Sequence, residues 1–187
     1  MTWVPLIVLA VLALLIVGMY NQLVRLKVRC ENAWSDIDVQ LKRRYDLIPN
    51  LIETVKGYAG HEKQTLEAVV AARNRAMTAS TPAAKGEAEG ILAQSLKSLF
   101  ALAEAYPQLR AVESFTQLQG SLNQIEDAVQ NARRYYNAVV RDLNTKIQEF
   151  PSNVIANFFR FQPREFFGIA EAAERAVPKV TFDQAAR

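Results

Sequence analysis

The chain has 187 residues, half of them hydrophobic and only seven of them glycine, and 22 Lys and Arg against 19 Asp and Glu leave a formal charge of +3. Its single cysteine excludes an internal disulfide framework, and around its one histidine and one cysteine no Ser-His-Asp or Cys-His arrangement is recognised. Arg25, Lys27 and Arg29 account for the whole positive excess, so the remaining chain is balanced and gives no support to nucleic-acid binding.

The first charged residue is Arg25, and before it Trp3 to Tyr20 form an uncharged, mostly apolar run. As a helix this run spans about 27 Å, close to the roughly 30 Å hydrocarbon core of a bilayer. A cleaved signal peptide would carry its basic residues before the apolar core and a small-residue cleavage site after it. Here the cations follow the run, and Gly18-Met19-Tyr20-Asn21-Gln22 has no such site. Residues 1–24 are therefore expected to be a retained transmembrane anchor, bounded by Trp3 and Tyr20. The flanking Arg25, Lys27 and Arg29 would stay on the cytoplasmic side at anionic headgroups. That places the protein in the inner (cytoplasmic) membrane as a single-pass chain, N-terminus outside and C-terminal domain cytoplasmic. Cys30 reads as an inert residue at the start of a helix.

Residues 25–150 read as a bundle of long helices. Trp34, Ile37, Leu41, Ile48, Leu51, Val55 and Tyr58 recur at three- and four-residue steps, broken only by Arg44, and form one helical stripe. Pro49 lies inside it and predicts a kink, since the stripe continues on both sides. The helix is expected to reach about Thr78, with a loop over 79–86, where Ser, Thr, Pro and Gly cluster. A further helix follows from about Glu87 to Ala105. The strongest stripe comes next: Phe115, Leu118, Leu122, Ile125, Val129, Ala132, Tyr136, Val139 and Leu143. It stops at Phe150-Pro151, where Ser152 or Asn153 can cap the next segment.

Pro107 decides the shape. Tyr106-Pro107-Gln108-Leu109 has no Gly, Asn or Asp to favour a turn, which predicts a kink and two long antiparallel arms, 25–80 and 87–150. A turn at Pro107 would instead give a shorter up-down-up bundle ending far from the bilayer. The last segment, 151–187, is rich in Phe, with short helices expected over 153–159 and 164–176 and an extended stretch over 178–182. Its Phe158, Phe159, Phe161, Phe166 and Phe167 form a candidate interface that could close the bundle, enter the membrane interface or meet another subunit.

Candidate chemistry is sparse. His61-Glu62 resembles the opening of a zinc-protease signature, but Thr65 stands where the second histidine belongs. No glycine-rich phosphate loop is present, so no metal, cofactor or catalytic residue is assigned. One polar cluster stands out: Arg44, Asp46 and Asn50 on the first stripe, with Glu126, Arg133 and Asn137 on the last. Arg44 occupies a core-facing position, where an unpaired charge would be costly. Glu126 or Asp142 is its expected partner, in a buried ionic network that fixes register or in a partner-binding site.

The segments Ala33-Trp34-Ser35-Asp36-Ile37, Arg43-Arg44-Tyr45-Asp46-Leu47-Ile48-Pro49-Asn50-Leu51 and Val55-Lys56-Gly57-Tyr58-Ala59, with His61-Glu62, resemble the LemA family. So do Tyr106-Pro107, Glu126, Ala132-Arg133, Tyr136-Asn137, Asn144, Phe150-Pro151-Ser152-Asn153 and Pro178-Lys179-Val180. The resemblance covers essentially the whole chain. It implies an all-α protein whose N-terminal transmembrane helix continues into an elongated antiparallel, LemA-like four-helix bundle, with no established enzymatic activity. Arg160 departs from it, standing where the family pattern has glycine. The expected function is a non-enzymatic, membrane-anchored scaffold or assembly subunit that contacts lipid and forms homo-oligomers. The alternative is a signalling adaptor that recruits a protein partner through the Arg44–Asn50 cluster or the phenylalanine tail.

Overall fold

Helix α1 runs from Trp3 to Ala59, 57 residues, or about 85 Å at 1.5 Å per residue, in a computed structural model that describes residues 3–168. It carries an 18-residue window of mean hydropathy 2.6 near the N-terminus, none of it buried, and is long and apolar enough there to cross a membrane. From Leu23 onward the same helix turns a stripe of Ile37, Leu41, Ile48, Leu51 and Val55 into the core. Pro49 sits within α1 without ending it.

The helix ends earlier than its periodicity predicts. Gly60, His61 and Glu62 form a turn in which the Glu62 amide donates to the Ala59 carbonyl at 3.1 Å, and α2 (Lys63–Thr78) runs back along α1. Arg73 Nε donating to the Tyr45 carbonyl at 2.9 Å fixes that pairing. The loop after α2 spans only 79–81, not 79–86. Thr81 caps α3 (Pro82–Ala103) by accepting from the Ala84 amide at 3.2 Å, and Pro82 takes the first helical position, where its missing N–H costs nothing.

Pro107 makes a turn rather than a kink. It opens the single-turn helix α4 (Pro107–Arg110), after which α5 (Glu113–Gln148) descends antiparallel to α1. The two-arm hairpin expected from the stripes is thus replaced by an up-down-up-down bundle of α1, α2, α3 and α5. The bundle does not end far from the apolar run, because the reversal at Gly60 adds the pass that brings the chain back. Among the described residues there is no strand. The core joins α1 to Leu66 and Val69, Leu92, Leu96 and Leu99, and Leu122, Val140 and Leu143. Each fully buried leucine of this kind contributes about 1.5–3 kcal/mol.

After a cis Phe150–Pro151 bond, α6 (Ser152–Phe158) closes the lower end. No side chain caps its N-terminus; instead Ser152 Oγ donates to the carbonyls of Lys146 and Glu149 at 2.7 and 3.0 Å. Residues 161–166 have no regular structure, so the helix expected from Arg164 does not begin there. Its remainder and the extended stretch at 178–182 lie outside the described residues.

Candidate functional site

Arg44 occupies the core stripe of α1 and is 5 % exposed. Its Nη1 lies 3.0 Å from Glu89 Oε2 on α3 and 3.0 Å from Glu126 Oε2 on α5. Tyr45 donates its hydroxyl to the other oxygen of Glu89, and Lys85 reaches Asp38 at 3.7 Å beside them. Three helices are thereby tied at one level. Burial raises the Glu89 carboxyl above its ordinary value, opposed by the Tyr45 hydrogen bond and the Arg44 charge. Burial, reinforced by the hydrogen bond to Glu89, pushes the Tyr45 phenol far up, so it stays a donor.

The structure brings together only part of the predicted cluster. Arg44 and Glu126 pair as expected, and half-buried Arg133 lines a cavity of about 80 Å³ with Arg44, Glu89, Glu126 and Phe167. Asp46 and Asn50 are exposed and face away, and Asp142 is exposed rather than paired with Arg44. Glu89 escaped the sequence reading. Extending the α3 stripe back from Leu96 and Leu92 by threes and fours reaches Glu89 and then Lys85, both buried, and that signal would have found it. Arg44 is paired with two carboxylates and Tyr45 stays protonated, so the cluster holds three helices together.

Asn137 acts elsewhere, on the tail. It accepts from the Phe167 amide at 2.9 Å and donates to the Phe167 carbonyl at 3.2 Å. Two helical turns further on, Asn144 does the same for Arg164, at 2.8 and 2.9 Å, while Tyr136 donates to the Glu165 carbonyl at 2.8 Å. An extended segment has backbone donors and acceptors to satisfy, and an asparagine amide supplies one of each. These residues latch 164–167 onto α5. Phe167 is 3 % exposed and stacks at 6.0 Å on Trp34, which also meets Tyr136 at 5.5 Å. Gly86 permits this closure: a Cβ there would lie 2.3 Å from Gly168 backbone atoms. Phe166 is half-buried, so the Phe166–Phe167 pair is bundle core rather than a free surface.

Tyr20 and two of the other phenylalanines meet at the lower end. Tyr20, the last residue of the apolar run, stacks on Phe159 at 4.7 Å and Phe161 at 5.9 Å. Trp3, Arg25, Lys27 and Arg29 are exposed. An open cavity of about 640 Å³ is lined there by Tyr20, Val24, Lys27, Phe161 and Arg164. Arg164 pairs with Glu31 at 2.9 Å. Arg160 has φ +57°, and the bonds from its amide to the Asn157 carbonyl and from the Phe161 amide to the Ala156 carbonyl form a Schellman motif ending α6. Glycine is the usual occupant of that position, which gives the departure noted in the sequence its physical meaning. Cys30 is buried, which pushes its thiol up.

The family profile of the LemA family matches residues 33–182. The chain is similar to Protein LemA of Metamycoplasma hominis, 26 % identical over 89 % of this chain and 74 % of that protein. It is also similar to Magnetosome protein MamQ 2 of Paramagnetospirillum magneticum, 24 % identical over 79 % of this chain and 64 % of that protein. Magnetosome protein MamQ of Magnetospirillum gryphiswaldense is 21 % identical over the same shares. The chain thus spans a little less than two thirds of the MamQ proteins.

Proposed function

The chain belongs to the LemA family, and we propose that it is a non-enzymatic, single-pass membrane scaffold whose helical bundle stands on the cytoplasmic face of the inner membrane. The observation that carries this reading is the unbroken α1, which passes from an exposed apolar stretch straight into the bundle core. The cations Arg25, Lys27 and Arg29 just after the stretch support a cytoplasmic bundle. A scaffold also fits the Arg44 cluster, whose charges are spent on holding three helices in register. The adaptor reading has less support, because Arg44 is enclosed and Phe166 and Phe167 belong to the bundle.

The proposal includes self-association, the means by which a single-pass scaffold would organise a patch of membrane. Reporter fusions at each end test the topology, and a C-terminal reporter active outside the cytoplasm overturns the orientation. Native mass spectrometry from mild detergent tests the assembly, and a strictly monomeric particle refutes it.

A further inference from the structure

Three apolar side chains at the lower end of the bundle are left largely exposed, Phe158 touching only the edge of the Phe159 ring among the aromatics. Phe150 is 83 % exposed, Val154 57 % and Phe158 78 %. Val154 and Phe158, four residues apart, share one face of α6, and Phe150 lies in the turn just before the helix. The opposite face of α6 packs on the bundle through Ser152 and Ala156. Phe150 and Phe158 are the most exposed large apolar side chains among the described residues, and an exposed apolar stripe of this kind marks a contact surface.

The geometry places that stripe at a definite height. Arg44 pairs with Glu126 and Trp34 with Tyr136, and the same antiparallel register carried down α5 brings Phe150 level with Tyr20. At the other end of α6, Phe159 stacks directly on Tyr20. Both ends of α6 therefore lie at one height along α1, so this short helix runs across the bundle axis. That height is where the apolar run of α1 stops and its cations begin. The acidic side chains nearby, Glu31 and Glu149, are paired with Arg164 and Lys146, while Arg25, Lys27, Arg29 and Arg160 are exposed.

We propose that α6 is a second membrane contact: Phe150, Val154 and Phe158 enter the headgroup–acyl boundary of an anionic phospholipid bilayer and seat the bundle upright on it. The proposal rests on α1 being the membrane anchor. An amphipathic helix lying in the bilayer plane, apolar face down and cations around it, is the arrangement such an interface selects. The bilayer fits better than a second copy because the stripe continues the surface of the anchor itself, through Tyr20.

The test uses the full chain with Cys30→Ala, reconstituted in phosphatidylcholine–phosphatidylglycerol vesicles, and single cysteines carrying an environment-sensitive fluorophore. Phe158→Cys reports on α6, Leu12→Cys on the anchor, and Tyr135→Cys on the bundle flank. With nitroxide-bearing lipids, labels at 158 and 12 are expected to be quenched and the label at 135 to remain bright. A quenched 12 with an unquenched 158 overturns the second contact and leaves the anchor reading standing. Neither quenched means that the anchor reading itself has failed. Equal quenching at 135 and 158 refutes the upright seating. Weaker quenching at 158 in pure phosphatidylcholine is expected, and an unchanged signal there overturns the preference for anionic lipid. Replacing both phenylalanines, Phe150→Gln and Phe158→Gln, should leave the melting temperature in detergent unchanged because both are exposed. A lowered one would assign them to the fold.

Discussion

Arg160→Gly is expected to stabilise the protein. Arg160 closes α6 with φ +57°, a conformation that costs an L-residue with a side chain about 1–2 kcal/mol. Glycine removes that cost but widens the unfolded ensemble, which returns about 0.4–1 kcal/mol. The net gain is about 0.5–1 kcal/mol, or about 1–4 °C in melting temperature for a chain of this size. Its exposed side chain adds little to set against this. Thermal unfolding of the full chain in one detergent, followed by helical circular dichroism, measures the gain. Arg160→Ala is the control, since alanine keeps the backbone strain while losing the guanidinium, and it should not stabilise. If alanine raises the melting temperature as much as glycine, the benefit comes from removing a charge near the base, and the Schellman reasoning is refuted.

Gly86→Ala should lower the melting temperature and speed amide exchange at Phe167, despite alanine's better helix propensity, because the clash is with backbone that cannot rotate away; an unchanged or raised melting temperature would mean the tail is not held this close. Arg44→Met should cost about 3–5 kcal/mol by chemical denaturation, since it leaves Glu89 and Glu126 facing each other without a cation, and the triple change Arg44→Met, Glu89→Gln, Glu126→Gln should recover part of that loss. The Tyr136 phenol is pushed up to about 12 by burial. The folded state thus keeps a proton that the unfolded chain loses near pH 10, so stability is full below pH 10 and declines as pH rises from 10 towards 12. Tyr136→Phe should make that decline shallower over the alkaline unfolding curve, leaving the part due to Tyr45, and cost about 1 kcal/mol at neutral pH for the lost bond to the Glu165 carbonyl.

The stripes named the core well because burial imposes a 3.6-residue period on any helix it covers: Ile37, Leu41 and Ile48, and Phe115, Leu122, Val129 and Tyr136, are all buried. The same stripes hid both reversals. Ala59, Leu66 and Val69 keep heptad phase straight across the Gly60 turn, and Ala103, Tyr106, Leu109, Val112 and Phe115 keep steps of three across Pro107. Periodicity carries no information about direction when the phase survives a turn, so only Gly60 and Pro107 themselves marked the corners. Tyr58 lies in the first stripe yet is exposed, because α1 stops one residue later. Arg44 was legible as a buried charge because it interrupted a stripe. Glu89 was not, because it sits between Gly86 and Gly90, where the sequence looks like the edge of a loop. Asn137 was singled out correctly but for the wrong partner: its backbone latch depends on where the tail returns, a long-range fact that local pattern does not hold.

The position of Leu23 decides how the apolar stretch and the bundle communicate. Three residues after Tyr20 it is already fully buried, and Tyr20 itself is stacked by Phe159 and Phe161. No flexible linker separates the two parts; the first break in backbone helicity after Trp3 is at Gly60, at the far end of the bundle. A tilt of the apolar stretch must therefore tilt the whole bundle, since bending a continuous helix at its packed base would break both backbone bonds and core contacts. The tail ties the bundle together again above that end, with Arg164 to Phe167 latched to α5 through Asn144 and Asn137 and to α1 through Trp34 and Glu31. A continuous helix at the base and the latch above it make a rigid foot of what would otherwise be a domain on a tether.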